Sequence, residues 1–182
     1  KPSGRIPREW HSGLCKADGM PHAAPRFRQS DLRIGRRSEA HRTYFLTTTT
    51  HGRERIFSDW HHASQMSRII SAPATWAGSE LLCWALMPDH WHGLLVLGDT
   101  HSLPRTMNLA KGISSRRFNQ ATGRNGPVWA AAFHDHALRR DEDLREVARY
   151  IVSNPIRAGL AMTCGDYPYW DAVWLDRDGA PL

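Results

Sequence analysis

Two short apolar runs, residues 80–87 (ELLCWALM) and 90–97 (HWHGLLVL), meet at Pro88-Asp89, and no other feature constrains the chain as much. Each run has the length and the apolar, aromatic content of a strand, and two turn residues between them make a hairpin. Residues 43–50 (TYFLTTTT) are rich in β-branched and aromatic residues and read as a strand ahead of the hairpin. Between the two, Ser58 or Asp59 can cap a helix that runs to about Ser71 and stops before Pro73. After the hairpin, Ser102 caps a second helix with Leu103, Met107, Ala110 and Ile113 at helical spacing, ending near Gln120. Residues 128–134 form a weaker strand after a Gly123–Pro127 turn.

The order strand, helix, strand, strand, helix, strand is the ferredoxin-like one: α+β, an antiparallel sheet with helices packed on one face. A third helix follows. Asp141 caps it, Leu144, Val147, Ala148 and Ile151 form its apolar stripe, Pro155 interrupts it and Gly159 ends it.

Length adds one bound: 182 residues form one domain with a sizeable core and, here, an arm. Residues 1–41 show no sustained period and hold Pro2, Pro7, Pro21 and Pro25, so they read as a basic irregular arm; residues 42–182 read as the folded domain. The longest apolar run, Leu94–Leu97, is far too short to span a membrane. Cys15, Cys83 and Cys164 form no CxxC pair and no disulfide framework, so they read as reduced thiols of a cytoplasmic chain, with Cys83 buried and inert.

Charge divides unevenly. Residues 1–42 carry ten Lys and Arg against four acids, a surplus equal to the entire net charge of +6. Residues 100–134 hold no acid, only Arg105, Lys111, Arg116, Arg117 and Arg124. Two basic clusters point to a polyanion, and the preponderance of Arg suits phosphate and base edges.

Two patterns carry chemistry. On a strand, His90 and His92 point the same way, ~6.5 Å apart at Cα, with Trp91 opposite. Two such imidazoles can share a metal ion, but among eleven histidines an HxH pair also arises by chance. On the third helix, Tyr150 and Asn154 are four apart and share a face. Taken alone, they also read as a half-buried tyrosine and a helix-ending residue before Pro155.

Together these pieces resemble the HUH single-tyrosine endonucleases, and more closely the REP-associated tyrosine transposases. The resemblance rests on TYFLTTTTHGRERIF (43–57), WALMPDHWHGLLVL (84–97), VWAAAFHDHALRRDEDLREVARYIVSNPIRAGL (128–160) and GDYPYWDAVWL (165–175). It implies an HUH endonuclease fold with an extra C-terminal tyrosine-bearing helix. It implies His90, His92 and Asn154 as ligands of Mg²⁺ or Mn²⁺, and Tyr150 as the nucleophile. The substrate it implies is single-stranded DNA bearing a REP-type hairpin, cut through a covalent 5′-phosphotyrosine. Arg105, Lys111, Ser115, Arg116, Arg117 and Arg124 are then the expected DNA contacts. Relatives include dimers that exchange the tyrosine helix, so the chain is expected as monomer or homodimer, with no membrane partner. Two other readings stay open: a zinc-dependent hydrolase that takes His134 or His136 as a third ligand, and a non-catalytic regulator that only binds DNA hairpins.

Overall fold

The computed structural model describes residues 38–139 and 142–174. Most of the basic arm expected over residues 1–41 lies outside them. Five strands form one antiparallel sheet: β1 (Thr43–Thr49), β2 (Glu80–Met87), β3 (His90–Val96), β4 (His134–Ala137) and β5 (Trp170–Ala172), in spatial order β4-β1-β3-β2-β5. The first four strands have the ferredoxin-like order, so the fold is α+β as the pattern of elements predicts.

Helices α1 (Trp60–Ser71) and α2 (Leu103–Thr122) cover one face of the sheet over Tyr44, Leu46, Trp84, Leu86, Trp91 and Leu95. Helix α3 (Leu144–Val152) covers the other face over Phe45, Cys83, Ala85 and Leu94. The period-two alternation of β1, β2 and β3 feeds both layers, which is why these strands are apolar on both faces.

Asp59 caps α1, its carboxylate accepting from the His62 amide at 2.9 Å. Ser102 occupies the N-cap position of α2, but its side chain makes no capping bond; Ser38 Oγ accepts from the Leu103 amide instead. Glu39 N donates to Tyr44 Oη and His41 N to Leu97 O, so residues 38–42 pack on the domain. The buried stripe of α2 runs Leu103, Met107, Ala110, Ser114 and Phe118, leaving Ile113 half-buried. Helix α3 is capped by Asp143, whose carboxylate accepts from the Arg145 amide at 2.7 Å; Asp141, expected in that role, lies outside the described residues. Leu144 in the first turn of α3 stays exposed, while Val147, Ala148 and Ile151 are buried.

The chain breaks at Ser153 before Pro155, and a single further turn, α4 (Asn154–Arg157), ends on Gly159 at φ +68°, a left-handed conformation that glycine adopts without strain. Two strand expectations need correction. The strand expected over 128–134 lies at 134–137. Val128 and Trp129 are apolar because they are buried in the core, and they contribute only the bridge Thr50↔Trp129. The segment around Trp170, where the sequence pattern gives no strand, adds β5 to the free edge of β2; three residues are too few to show a period.

Position 93 needs a glycine for space: a Cβ there would overlap the indole of Trp91, which lies along the strand over it. Trp76 stacks on that indole at 5.2 Å, so Trp91 is clamped beneath the two histidines that flank it in sequence. Cys83 is free and buried, and burial pushes its thiol far up, in keeping with an inert side chain. Cys164 is also buried, its sulfur 3.9 Å from Val152 O, and Cys15 lies outside the described residues. Among the described residues no helix is long and apolar enough to cross a membrane.

Candidate metal centre and nucleophile

Strand alternation sends Trp91 and Leu95 into the layer under α1 and α2, and sends His90, His92 and Leu94 to the α3 face. The two imidazoles lie 4.8 Å apart, centroid to centroid, at 83° to each other. Each has one ring nitrogen engaged. His90 Nδ1 meets Asp89 Oδ1 at 2.6 Å, and His92 Nδ1 meets Thr47 Oγ1 at 2.9 Å across the β1–β3 pair. The second oxygen of Asp89 accepts from Arg53 at 3.3 Å. Nε2 is therefore the nitrogen of both rings that remains for a cation; the Asp89 carboxylate, an acceptor, sets the His90 tautomer with its proton on Nδ1, and Thr47 holds the orientation of His92.

Burial pushes the His92 imidazole down to about 3, and its neighbour His90 pushes the same way. The ring is thus neutral at physiological pH, the form that binds metal. Asp89 is held below the usual carboxylate range; its burial pulls upward, but hydrogen bonding and charge from His90 and Arg53 outweigh that.

Phe45 joins this pair to the third helix. Its ring stacks on His92 at 5.6 Å and meets Tyr150 edge-on at 6.1 Å. Tyr150 is half-buried at the rim of the α3 stripe. The chain has four tyrosines, and the other three have their hydroxyls engaged: Tyr44 accepts from Glu39 N, Tyr167 donates to Leu86 O at 2.7 Å, and Tyr169 donates to Trp60 O at 3.3 Å. Among the described residues the Tyr150 hydroxyl has no hydrogen-bond partner. Asn154, one turn on, commits its amide nitrogen to Tyr150 O at 2.9 Å and Ile151 O at 3.3 Å. Its Oδ1 is then the atom left for a cation. Two imidazole nitrogens on a single sheet face make a chemically sensible, open-sided pair of donors for a divalent ion.

His134 and His136 lie on the same sheet face, because β4 pairs Thr47 with His134 and Phe45 with His136. His136 Nε2 is held by the Glu142 carboxylate at 3.0 Å, and His134 is exposed on the outer strand. Among the described residues no group of three or more His, Cys, Asp or Glu side chains is placed to hold a metal ion. Among the described residues the zinc-hydrolase reading thus finds no third ligand of that kind.

The expected DNA contacts fall elsewhere. Arg105, Lys111, Ser115, Arg116 and Arg117 all ride on α2, across the sheet from the histidines. Arg105, Arg116 and Arg117 are exposed. Lys111 Nζ instead donates to Ala131 O at 2.7 Å, and burial lowers its pKa. Ser115 is half-buried, and Arg124 is paired with Glu54 at 3.0 Å. Thr47, Phe45 and Asp89 were not singled out from the sequence. Asp89 adjoins the histidines and could have been; Thr47 and Phe45 could not, because strand pairing alone brings them there.

The family described as "Transposase IS200 like" matches residues 39–154. The chain belongs to this family. Two curated relatives are similar to it: the REP-associated tyrosine transposase of Escherichia coli K12, 29% identical over 92 residues, and a putative REP-associated tyrosine transposase of Haemophilus influenzae, 28% identical over 100 residues. Each alignment takes in 50% of this chain, and the chain spans little more than half the length of either relative, 52% and 57%. The fold is also that of a solved REP-associated tyrosine transposase bound to a REP hairpin, with a TM-score of 0.56 and 20% identity over 76% of this chain and 81% of that one. The family match covers every strand except β5, together with both histidines, Tyr150 and Asn154.

Proposed function

We propose that the chain is a single-strand DNA endonuclease and strand transferase that acts on REP-type hairpins through a covalent 5′-phosphotyrosine at Tyr150. One observation carries this reading: the paired imidazoles and a tyrosine with an unengaged hydroxyl share one sheet face, with Phe45 in contact with both. Family membership supports it, as do the names of the relatives.

His90, His92 and Asn154 would hold the divalent cation. The amide oxygen favours a hard ion such as Mg²⁺ or Mn²⁺, although imidazoles alone would suit zinc or copper better. When bound, such an ion neutralises charge on the scissile phosphate and orients it. The chain's own part follows from elementary chemistry. A phenol attacks phosphorus only as it gives up its proton, so the site must supply position at the moment of attack. Tyr150 Oη attacks phosphorus and loses its proton to water. The P–Oη bond forms as the P–O3′ bond breaks, and the leaving 3′ oxygen takes a proton from water. The ester keeps the energy of the broken linkage, so a second 3′-hydroxyl can displace the tyrosine and join strands without ATP.

The exposed arginines of α2 and the basic arm of residues 1–41 are the proposed phosphate grips, with residues 42–182 as the nuclease domain. A DNA substrate agrees with a cytoplasmic location and with either a monomer or a homodimer. The test is incubation of labelled single-stranded hairpin DNA with the protein and Mn²⁺, read on a denaturing gel. The wild-type chain should form an adduct that maps to the peptide Tyr150–Arg157, and Tyr150→Phe should bind the hairpin but neither cut nor join it. Cleavage by the Phe variant, or an adduct on Tyr44, Tyr167 or Tyr169, overturns the assignment. Hairpin binding with neither cleavage nor adduct in the wild type would favour the non-catalytic regulator.

A further inference from the structure

Arg157 stands apart from the other basic residues near the site. Its guanidinium carbon lies 5.0 Å from the centroid of the Tyr150 ring, directly over the face. The two residues are seven apart, which on an unbroken helix separates them by ~10.5 Å along the axis. Here the helix breaks at Ser153, and α4 carries Arg157 on its last turn, with Arg157 N donating to Ser153 O. Arg157 is exposed and pairs with no carboxylate among the described residues. By contrast, Arg53 is bound to Asp89 and Arg124 to Glu54. A cation over an exposed tyrosine face gains only about 0.5–1 kcal/mol, so the contact is a weak tether that leaves the fork free for a ligand.

We propose that Arg157 receives the scissile phosphate beside Tyr150, holding its non-bridging oxygens through the guanidinium fork while the ring it covers is kept in line for attack. This rests on Tyr150 being the nucleophile. The physical need is plain. Phenol and phosphodiester must approach while charge grows on both, and one cation adjacent to the attacking ring offsets that repulsion where it arises. A guanidinium suits this because its planar donors match two phosphate oxygens at once, which an ammonium cannot do. Arg157 is therefore a positioning residue for the ring and a direct contact for the phosphate.

The experiment is single-turnover cleavage of the labelled hairpin with Mn²⁺ at saturating full-length protein, with hairpin affinity measured separately. Arg157→Ala should lower the cleavage rate constant about 100-fold, the scale of losing one preorganised charge donor. Affinity should change less than about threefold, because one phosphate contact among many contributes little to binding. Arg157→Lys should recover about tenfold of the lost rate, since the charge returns without the fork. An Arg157→Ala rate equal to wild type overturns the proposal. So does an equal loss in Ala and Lys variants, which would mark a role in packing rather than charge. Tyr150→Phe, run alongside, separates the two ideas. If it cuts, the nucleophile reading falls and this one with it. If it is inert while Arg157→Ala is fully active, only the role of Arg157 falls.

Discussion

Thr47 and His92 face each other across β1 and β3, and Thr47 Oγ1 meets His92 Nδ1 at 2.9 Å. One hydroxyl on a neighbouring strand thereby decides which nitrogen of His92 is turned toward a cation. Thr47→Val keeps the shape and removes the hydroxyl. It should weaken Mn²⁺ binding about 10-fold or more, the usual cost of losing an outer partner of a ligand histidine, with little change in melting temperature. Thr47→Ser should restore most of the affinity. Isothermal titration with Mn²⁺ checks this, and an unchanged affinity in the Val variant would remove Thr47 from the site.

The ligands themselves should differ in weight. His90→Ala and His92→Ala should each abolish metal binding and cleavage, while far-ultraviolet circular dichroism stays as in the wild type. Asn154→Ala should cost less affinity, because water can replace an amide oxygen. Cleavage at the wild-type rate by either histidine variant in chelator-free buffer would dismiss the pair as ligands.

Acid should unfold the metal-free protein through His92. Its imidazole is depressed to about 3 in the fold against 6.5 in the unfolded chain, so between these values the unfolded state binds the extra proton. The contribution is complete above pH 6.5 and fades as pH falls toward 3, with a slope approaching ~1.4 kcal/mol per pH unit from this group. Asp89, also depressed, adds to the loss in the same direction as pH falls through its own range. Denaturant melts from pH 7 to 4 in EDTA measure the slope. His92→Gln should flatten it, and an unaltered slope would mean that His92 is not the group responsible.

Gly93→Ala places a methyl group where the Trp91 indole lies. Overpacking of this kind costs ~1–3 kcal/mol, and thermal melting should show a corresponding drop. A variant as stable as the wild type would show that the indole moves aside without cost.

If DNA reaches around the sheet to α2, replacing Arg105, Arg116 and Arg117 together by alanine should lower the slope of log affinity against log salt by about two to three. The cleavage rate at saturating DNA should hold. An unchanged slope would withdraw α2 from the interface and leave the grip to other basic residues.

Much of this molecule is legible in its sequence because its signals are local. Pro88-Asp89 between two apolar runs marks the hairpin, and Asp59 marks the start of α1 within a residue. The HxH spacing places both histidines on one face. Legibility fails where tertiary packing decides. Val128 and Trp129 look like strand residues because they are buried, whereas His134–Ala137 has no strand-like composition and pairs only because β1 offers an edge. Nothing in the string of letters says that Phe45 touches both His92 and Tyr150, since those contacts join residues 47 and 105 positions apart, respectively. The same holds for the α2 arginines, whose separation from the histidines by the thickness of the sheet appears only once the layers are assembled.

Strand β3 alternates core and site residue by residue: His90 out, Trp91 in, His92 out. A slip of one position against β1 would drive both imidazoles under α1 and α2 and expel the indole that Trp76 grips. Misregistered copies of the chain would thus be unfolded rather than folded and inert. Proteolysis would clear them, and every molecule that survives with an intact core would carry its histidines facing the tyrosine helix.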